Sequence, residues 1–127
     1  MNMENYNEEK LILHWIRYNE LEEKSPEREK YFWAECKIND YIETDPELVW
    51  KLLLNILSRE ISQWAVGLLA AGPLEDLLSY YGPQLIDRVE KEARISPKFR
   101  LALTGVWQGG MTDDIWKRVQ VAQNLSK

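Results

Sequence analysis

The chain has 127 residues, 45% of them apolar and 29% charged, and a mass of 15.0 kDa. That is one globular domain, large enough to fold without disulfide or metal staples and too mixed in composition to be disordered. Its net charge of −5 argues against nucleic acid, and no apolar run approaches the ~20 residues of a membrane span.

The polar, acidic opening, Met1–Lys10, does not read as a secretory signal, and residues 1–9 are expected to fray. The first helix is expected over 6–23, with Leu11, Ile12, Trp15, Ile16 and Asn19 on one stripe and His14 beside it as a packing histidine. Ser25-Pro26 opens a second helix, 26–42, whose stripe is Tyr31, Ala34, Ile38, Tyr41 and Ile42. Cys36 falls in this helix and is expected to be a buried thiol. Thr44 with Glu47 fits a capping box, or Asp45 takes the cap itself, before a third helix at 46–59.

The third helix and the fourth, 62–71, are apolar nearly all round, so both are expected at the centre of the fold. Gly72-Pro73 and Gly82-Pro83 each read as one helix closing on glycine and the next opening on proline, giving helices at 73–81 and 83–95. Tyr80-Tyr81, just before Gly82, reads as a packed pair. Ser96-Pro97 starts a helix over 97–107. After a turn at Gly109-Gly110, Thr112 is expected to cap the last helix, 112–125, with Asp113 and Asp114 in its first turn. No stretch alternates as a strand would.

The expected fold is therefore all-α: a single compact domain, 1–127, of about eight short helices stacked as antiparallel hairpins in the manner of a helical-repeat bundle. The prolines show no fixed period, so true repeats are not expected.

Charge is uneven. Residues 1–47 hold 13 acidic and 6 basic side chains, a net of −7, and residues 48–127 hold 8 and 10, a net of +2. An acidic front third repels phosphate backbones and attracts a basic partner.

Three stretches carry a family resemblance: Glu29-Lys30-Tyr31-Phe32-Trp33-Ala34, Leu69-Ala70-Ala71-Gly72-Pro73-Leu74-Glu75-Asp76-Leu77-Leu78, and Ala102-Leu103-Thr104-Gly105-Val106-Trp107-Gln108 running on to Met111 through Val119. The chain resembles a family of small bacterial all-helical domains of unknown function, from about Trp15 to Val121. The resemblance implies the all-α fold and a bacterial origin. It brings no activity and no catalytic residues.

One cysteine and one histidine cannot form an internal disulfide or a His/Cys metal cluster, so a cytoplasmic protein with no metal or cofactor is expected. No nucleophile elbow, phosphate-binding loop or dinucleotide fingerprint is present, and no catalytic residue is assigned. Six tryptophans are many for this length. Trp15, Trp64 and Trp116 fall near apolar stripes and are expected in the core, while Trp33, Trp50 and Trp107 are less tied to one. An exposed Trp33 or Trp107 would be an interface anchor.

The resulting expectation is a non-catalytic protein-interaction module, with an immunity- or antitoxin-like protein as its sharpest form and a basic protein as partner. Its binding residues would be drawn from Trp33, Glu75, Asp76, Trp107, Gln108, Asp114 and Arg118. The alternative is a small-molecule-binding or enzymatic helical domain that gathers Glu75, Asp76, Gln108, Asp114 and Arg118 into a pocket.

Overall fold

A computed structural model describes residues 8–125. The segment expected to fray lies outside the described residues over 1–7, and Glu8 and Glu9 open the first helix. Among the described residues the chain is all-helical, with six helices and no strand. They are α1 (Glu8–Glu20), α2 (a 3₁₀ turn over Pro26–Tyr31 running on as Phe32–Thr44) and α3 (Pro46–Leu57). Then come α4 (Gln63–Leu69, a π-helical turn at Ala70–Leu74, and Glu75–Ile95), α5 (Pro97–Leu103) and α6 (Asp113–Gln123).

Eight expected helices become six because two prolines do not break the chain. Pro26, Pro46 and Pro97 do open helices. Pro73 and Pro83 lie inside α4. Pro73 lacks the N–H that would bond four residues back, and the backbone absorbs this by widening into the π turn. Before Pro83, Tyr81 leaves the helical region (φ −130°, ψ 26°), which kinks the helix without ending it. Gly72 and Gly82 are not left-handed caps: among the described residues the one positive-φ glycine is Gly109. Gly82 serves packing instead. A Cβ there would sit 3.0 Å from Ile115 Cγ2, so the missing side chain lets α6 approach α4.

The chain divides into two compact units, Met1–Ala65 and Val66–Lys127. In the first, α1, α2 and α3 pack on one another. Leu11, Ile12 and Trp15 of α1, Ala34, Ile38 and Ile42 of α2, and Val49, Leu52, Leu53 and Ile56 of α3 are buried, as the stripes require. Asp45 takes the α3 cap, its Oδ1 accepting from Leu48 N at 3.2 Å. The buried Asn19 amide donates to Trp15 O (2.9 Å) and Glu35 Oε1 (3.2 Å), which ties the end of α1 to the middle of α2. Arg59 forks onto the Glu9 carboxylate at 2.6 and 2.7 Å, and this ion pair holds Glu9 below the usual carboxylate range.

In the second unit, α5 and α6 both pack on the long final segment of α4. The pairs Ser79–Gly110, Gly82–Ile115 and Glu90–Arg118 advance together, so that segment and α6 run in the same direction. Ser96 caps α5, its Oγ accepting from Phe99 N at 3.0 Å. Thr112 flanks α6 without a side-chain cap, contrary to expectation. Its hydroxyl bonds to Asp114 and holds that carboxyl low, with help from backbone N–H groups.

Three further expectations are corrected by burial. Trp64 is 67% exposed, because α4 opens as an amphipathic helix with Trp64, Gly67 and Ala71 on its outer face. Cys36 is exposed, on the side of α2 turned away from Ala34 and Ile38. Tyr80 is exposed too, its ring set edgewise to Tyr81 with centroids 6.3 Å apart.

Candidate functional site

The loop between α5 and α6 is the most heavily fixed irregular segment of the second unit. Val106 and Met111 are buried and anchor its two ends. The Gln123 amide donates to Leu103 O (2.7 Å) and Val106 O (3.3 Å), holding the chain where it leaves α5. Trp107 N donates to Glu75 Oε1 at 2.9 Å, and Gly110 N donates to Ser79 Oγ at 3.1 Å. The Gln108 side chain donates to Met111 O (3.0 Å) and Asp113 Oδ1 (2.9 Å), while Met111 N donates to Gln108 O at 2.9 Å.

Gly109 makes this turn possible. Its φ is +53°, and a Cβ would fall 2.7 Å from Ser79 Oγ, so only glycine lies flat against α4 here. The result is a rigid loop with the Trp107 side chain 74% exposed at its outer edge.

The structure brings Glu75, Trp107 and Gln108 together, with Asp76 and Asp114 as chain neighbours of the residues they bond. Asp76, half-buried, is pushed up by burial first and by the Glu75 charge second. Arg118 belongs to a different patch. Its Nε donates to Glu90 Oε2 (2.9 Å) and its Nη2 to Glu90 Oε1 (2.6 Å) and Asp87 Oδ1 (2.7 Å). These bonds raise the guanidinium's already high value and lower that of Glu90. Of the polar residues proposed for a pocket, Glu75, Gln108, Asp114 and Arg118 are thus engaged in holding a loop, a helix terminus and a surface ion pair.

Trp33, in the first unit, is 37% exposed. Its Nε1–H donates to His14 Nδ1 at 2.9 Å, the two rings meet edgewise at 5.4 Å, and Lys10 Nζ stands 5.9 Å from the indole centroid. His14 also sits edgewise on Tyr31 at 4.9 Å. Burial, and secondarily Lys10, lower the His14 value below the usual histidine range.

Sequence reasoning passed over a neighbouring cleft of about 390 Å³ that includes Tyr18, Glu23, Lys24, Arg28, Glu29 and Phe32. Arg28 stacks 3.8 Å over the Tyr18 ring, and its Nε donates to Tyr18 O at 3.0 Å. Nothing in the spacing of these residues marks a cleft. It forms because the chain after α1 turns back through the 3₁₀ helix.

Among the described residues, no group of three or more His, Cys, Asp or Glu side chains is placed to hold a metal ion. No described helix is long and apolar enough to cross a membrane.

The model of a family of unknown function, DUF6869, matches residues 21–126, and the chain belongs to that family. No curated protein and no solved structure matches it.

Proposed function

We propose that this member of the DUF6869 family is a non-catalytic protein-interaction module that docks a partner protein on Trp107. One observation carries the reading: a three-quarters exposed tryptophan stands on a loop whose backbone is fixed by Glu75, Ser79, Gln108 and Gln123. A large side chain in water gains nothing for folding, whereas on a preorganised loop it offers wide contact area at little ordering cost. Tryptophan is the side chain most enriched among residues that dominate binding energy. The small-molecule alternative is supported less well, because Glu75, Gln108 and Arg118 already bond within the protein.

Tagged protein captured from native lysate tests the reading. Wild type and Trp33→Ala are expected to retain one stoichiometric protein that Trp107→Ala loses while keeping a wild-type helical spectrum. Equal retention by Trp107→Ala would overturn it.

A narrower reading rests on charge. The −7 of residues 1–47 favours an immunity- or antitoxin-like protein that covers a basic partner with fast, steered association. A captured partner released by salt and encoded beside this chain supports it. A neutral or acidic partner overturns it. The lone cysteine, exposed on α2, fits a reducing compartment such as the bacterial cytoplasm.

A further inference from the structure

We propose that the cleft between the end of α1 and the 3₁₀ turn of α2 binds a small aromatic monocarboxylate, its carboxylate on the Arg28 guanidinium and its ring against Phe32. The site lies wholly in the first unit, goes beyond the interaction reading above and does not depend on Trp107. Its volume of about 390 Å³ falls in the range of clefts that hold small ligands.

Arg28 is held from two sides. Its guanidinium carbon stands 3.8 Å over the Tyr18 ring, and its Nε donates to Tyr18 O at 3.0 Å. Stack and bond fix the plane of the group, while Nη1 and Nη2 donate to no described residue. The nearby Arg17 differs, since its Nη2 is taken by Glu27 at 3.2 Å. Arg28 makes no such ion pair with a described residue, although Glu23 and Glu29 share its cleft. A planar guanidinium with open donors is matched by a carboxylate, which accepts two parallel charge-assisted bonds. Because the group is already fixed, little freedom is lost when the ligand arrives.

The Tyr18 ring carries the second half of the site as well. Phe32 meets it at 5.5 Å with a tilt of 44°, and Phe32 is 47% exposed. One aromatic ring thus brings a fixed cation and an open apolar surface to a single cleft. A ligand ring laid on Phe32 removes apolar surface of both from water. Charge selects the rest of the ligand. Lys24 and Arg28 balance Glu23 and Glu29, so the lining is neutral in sum. It suits one negative charge, whereas a phosphate dianion would bring a second towards two carboxylates.

The test titrates the isotope-labelled full chain with N-acetyl-phenylalanine, following backbone amide and arginine Nε–H signals by NMR. N-acetyl-phenylalaninamide lacks the carboxylate, acetate lacks the ring, and phenyl phosphate carries the second charge. N-acetyl-phenylalanine is expected to give saturable shifts at the Arg28 Nε–H and at the amides of residues 24–32, with each of the other three at least about fivefold weaker. Arg28→Lys keeps the charge and loses the fork, and should weaken binding at least about fivefold. Phe32→Leu keeps an apolar side chain and loses the ring, and should weaken it at least about threefold. Both variants should keep a wild-type helical spectrum, and Trp107→Ala should bind as wild type does.

An equal response to the amide, or unchanged binding by folded Arg28→Lys, would overturn the proposal. So would phenyl phosphate binding more tightly than N-acetyl-phenylalanine, or no saturable shift at residues 24–32 up to about 10 mM ligand. If Arg28→Lys does not fold, Phe32→Leu and the ligand series on wild type decide the matter. The peptide Gly-Gly-Gly-Phe carries the same carboxylate and ring at a chain end. Tighter binding of that peptide than of N-acetyl-phenylalanine would overturn the small-molecule assignment in favour of a protein C-terminus.

Discussion

At the scale of single residues, His14 is the group whose chemistry is most constrained by its neighbours. Its Nδ1 accepts from the Trp33 indole, so the proton of the neutral ring sits on Nε2. Protonation turns Nδ1 into a donor and sets it against the indole N–H. The folded value is lowered, so between it and the unfolded value of about 6.5 the unfolded chain binds more protons. The stability His14 contributes is therefore full above about pH 6.5 and is lost as the pH falls from there through the folded value. Urea unfolding at pH 5 and pH 7.5 is expected to show a smaller pH dependence for His14→Gln than for wild type, and identical slopes would refute the assignment. Residue environments were only partly legible in the sequence. Trp15 lay on a stripe and is buried, but Trp64 shared that signal and is exposed. Apolar character in a short helix does not show which face the rest of the chain covers. Nor does Trp107, with Gly109-Gly110 behind it, reveal from sequence that Glu75 and Ser79 will pin its loop, since those partners lie 32 and 31 residues away.

At the scale of elements, sequence rules located helical chain well and located its breaks poorly. Proline after a polar cap residue opened helices at Pro26, Pro46 and Pro97, as the local chemistry demands. The same residue after glycine did not, because packing of α5 and α6 along α4 favours one long helix and local distortion accommodates the ring. Gly82 is the clearest case of tertiary structure setting the role of a residue. In an exposed helix interior, replacing glycine by alanine gains about 1 kcal/mol. Here the new methyl would meet Ile115 Cγ2 at 3.0 Å, tighter than ordinary contact. Gly82→Ala is therefore expected to destabilise the wild-type background and to cost less in an Ile115→Ala background, with a coupling energy on the order of 1 kcal/mol, while the restriction that Pro83 places on the residue before it acts in both. Additive effects across the four proteins of this cycle would show that α6 does not press on α4 at Gly82.

At the scale of the whole molecule, the fold class was legible because every local signal agreed. Period-3.6 stripes, proline starts and the absence of alternation all point to helix, and consistency of that kind is what makes a sequence specify a fold. The division into two compact units was not legible, because composition changes little at Ala65–Val66 and the boundary falls inside a helix. Each unit carries its own buried apolar set, and in the first α3 contributes more of it than any other helix. Leu53 on α3 is 1% exposed, whereas Leu13 on α1 is 50% exposed, and the two substitutions to alanine remove the same atoms. Leu53→Ala leaves a cavity among packed neighbours and is expected to cost about 2–5 kcal/mol in urea unfolding. Leu13→Ala removes a side chain already half in water and should change stability by no more than about 0.5 kcal/mol. Native-state hydrogen exchange gives the same contrast locally, since Leu53→Ala should lower the protection of the slowest amides of α2 and α3 by the full change in stability. A loss below about 1 kcal/mol for Leu53→Ala would place the core of the first unit elsewhere than along α3.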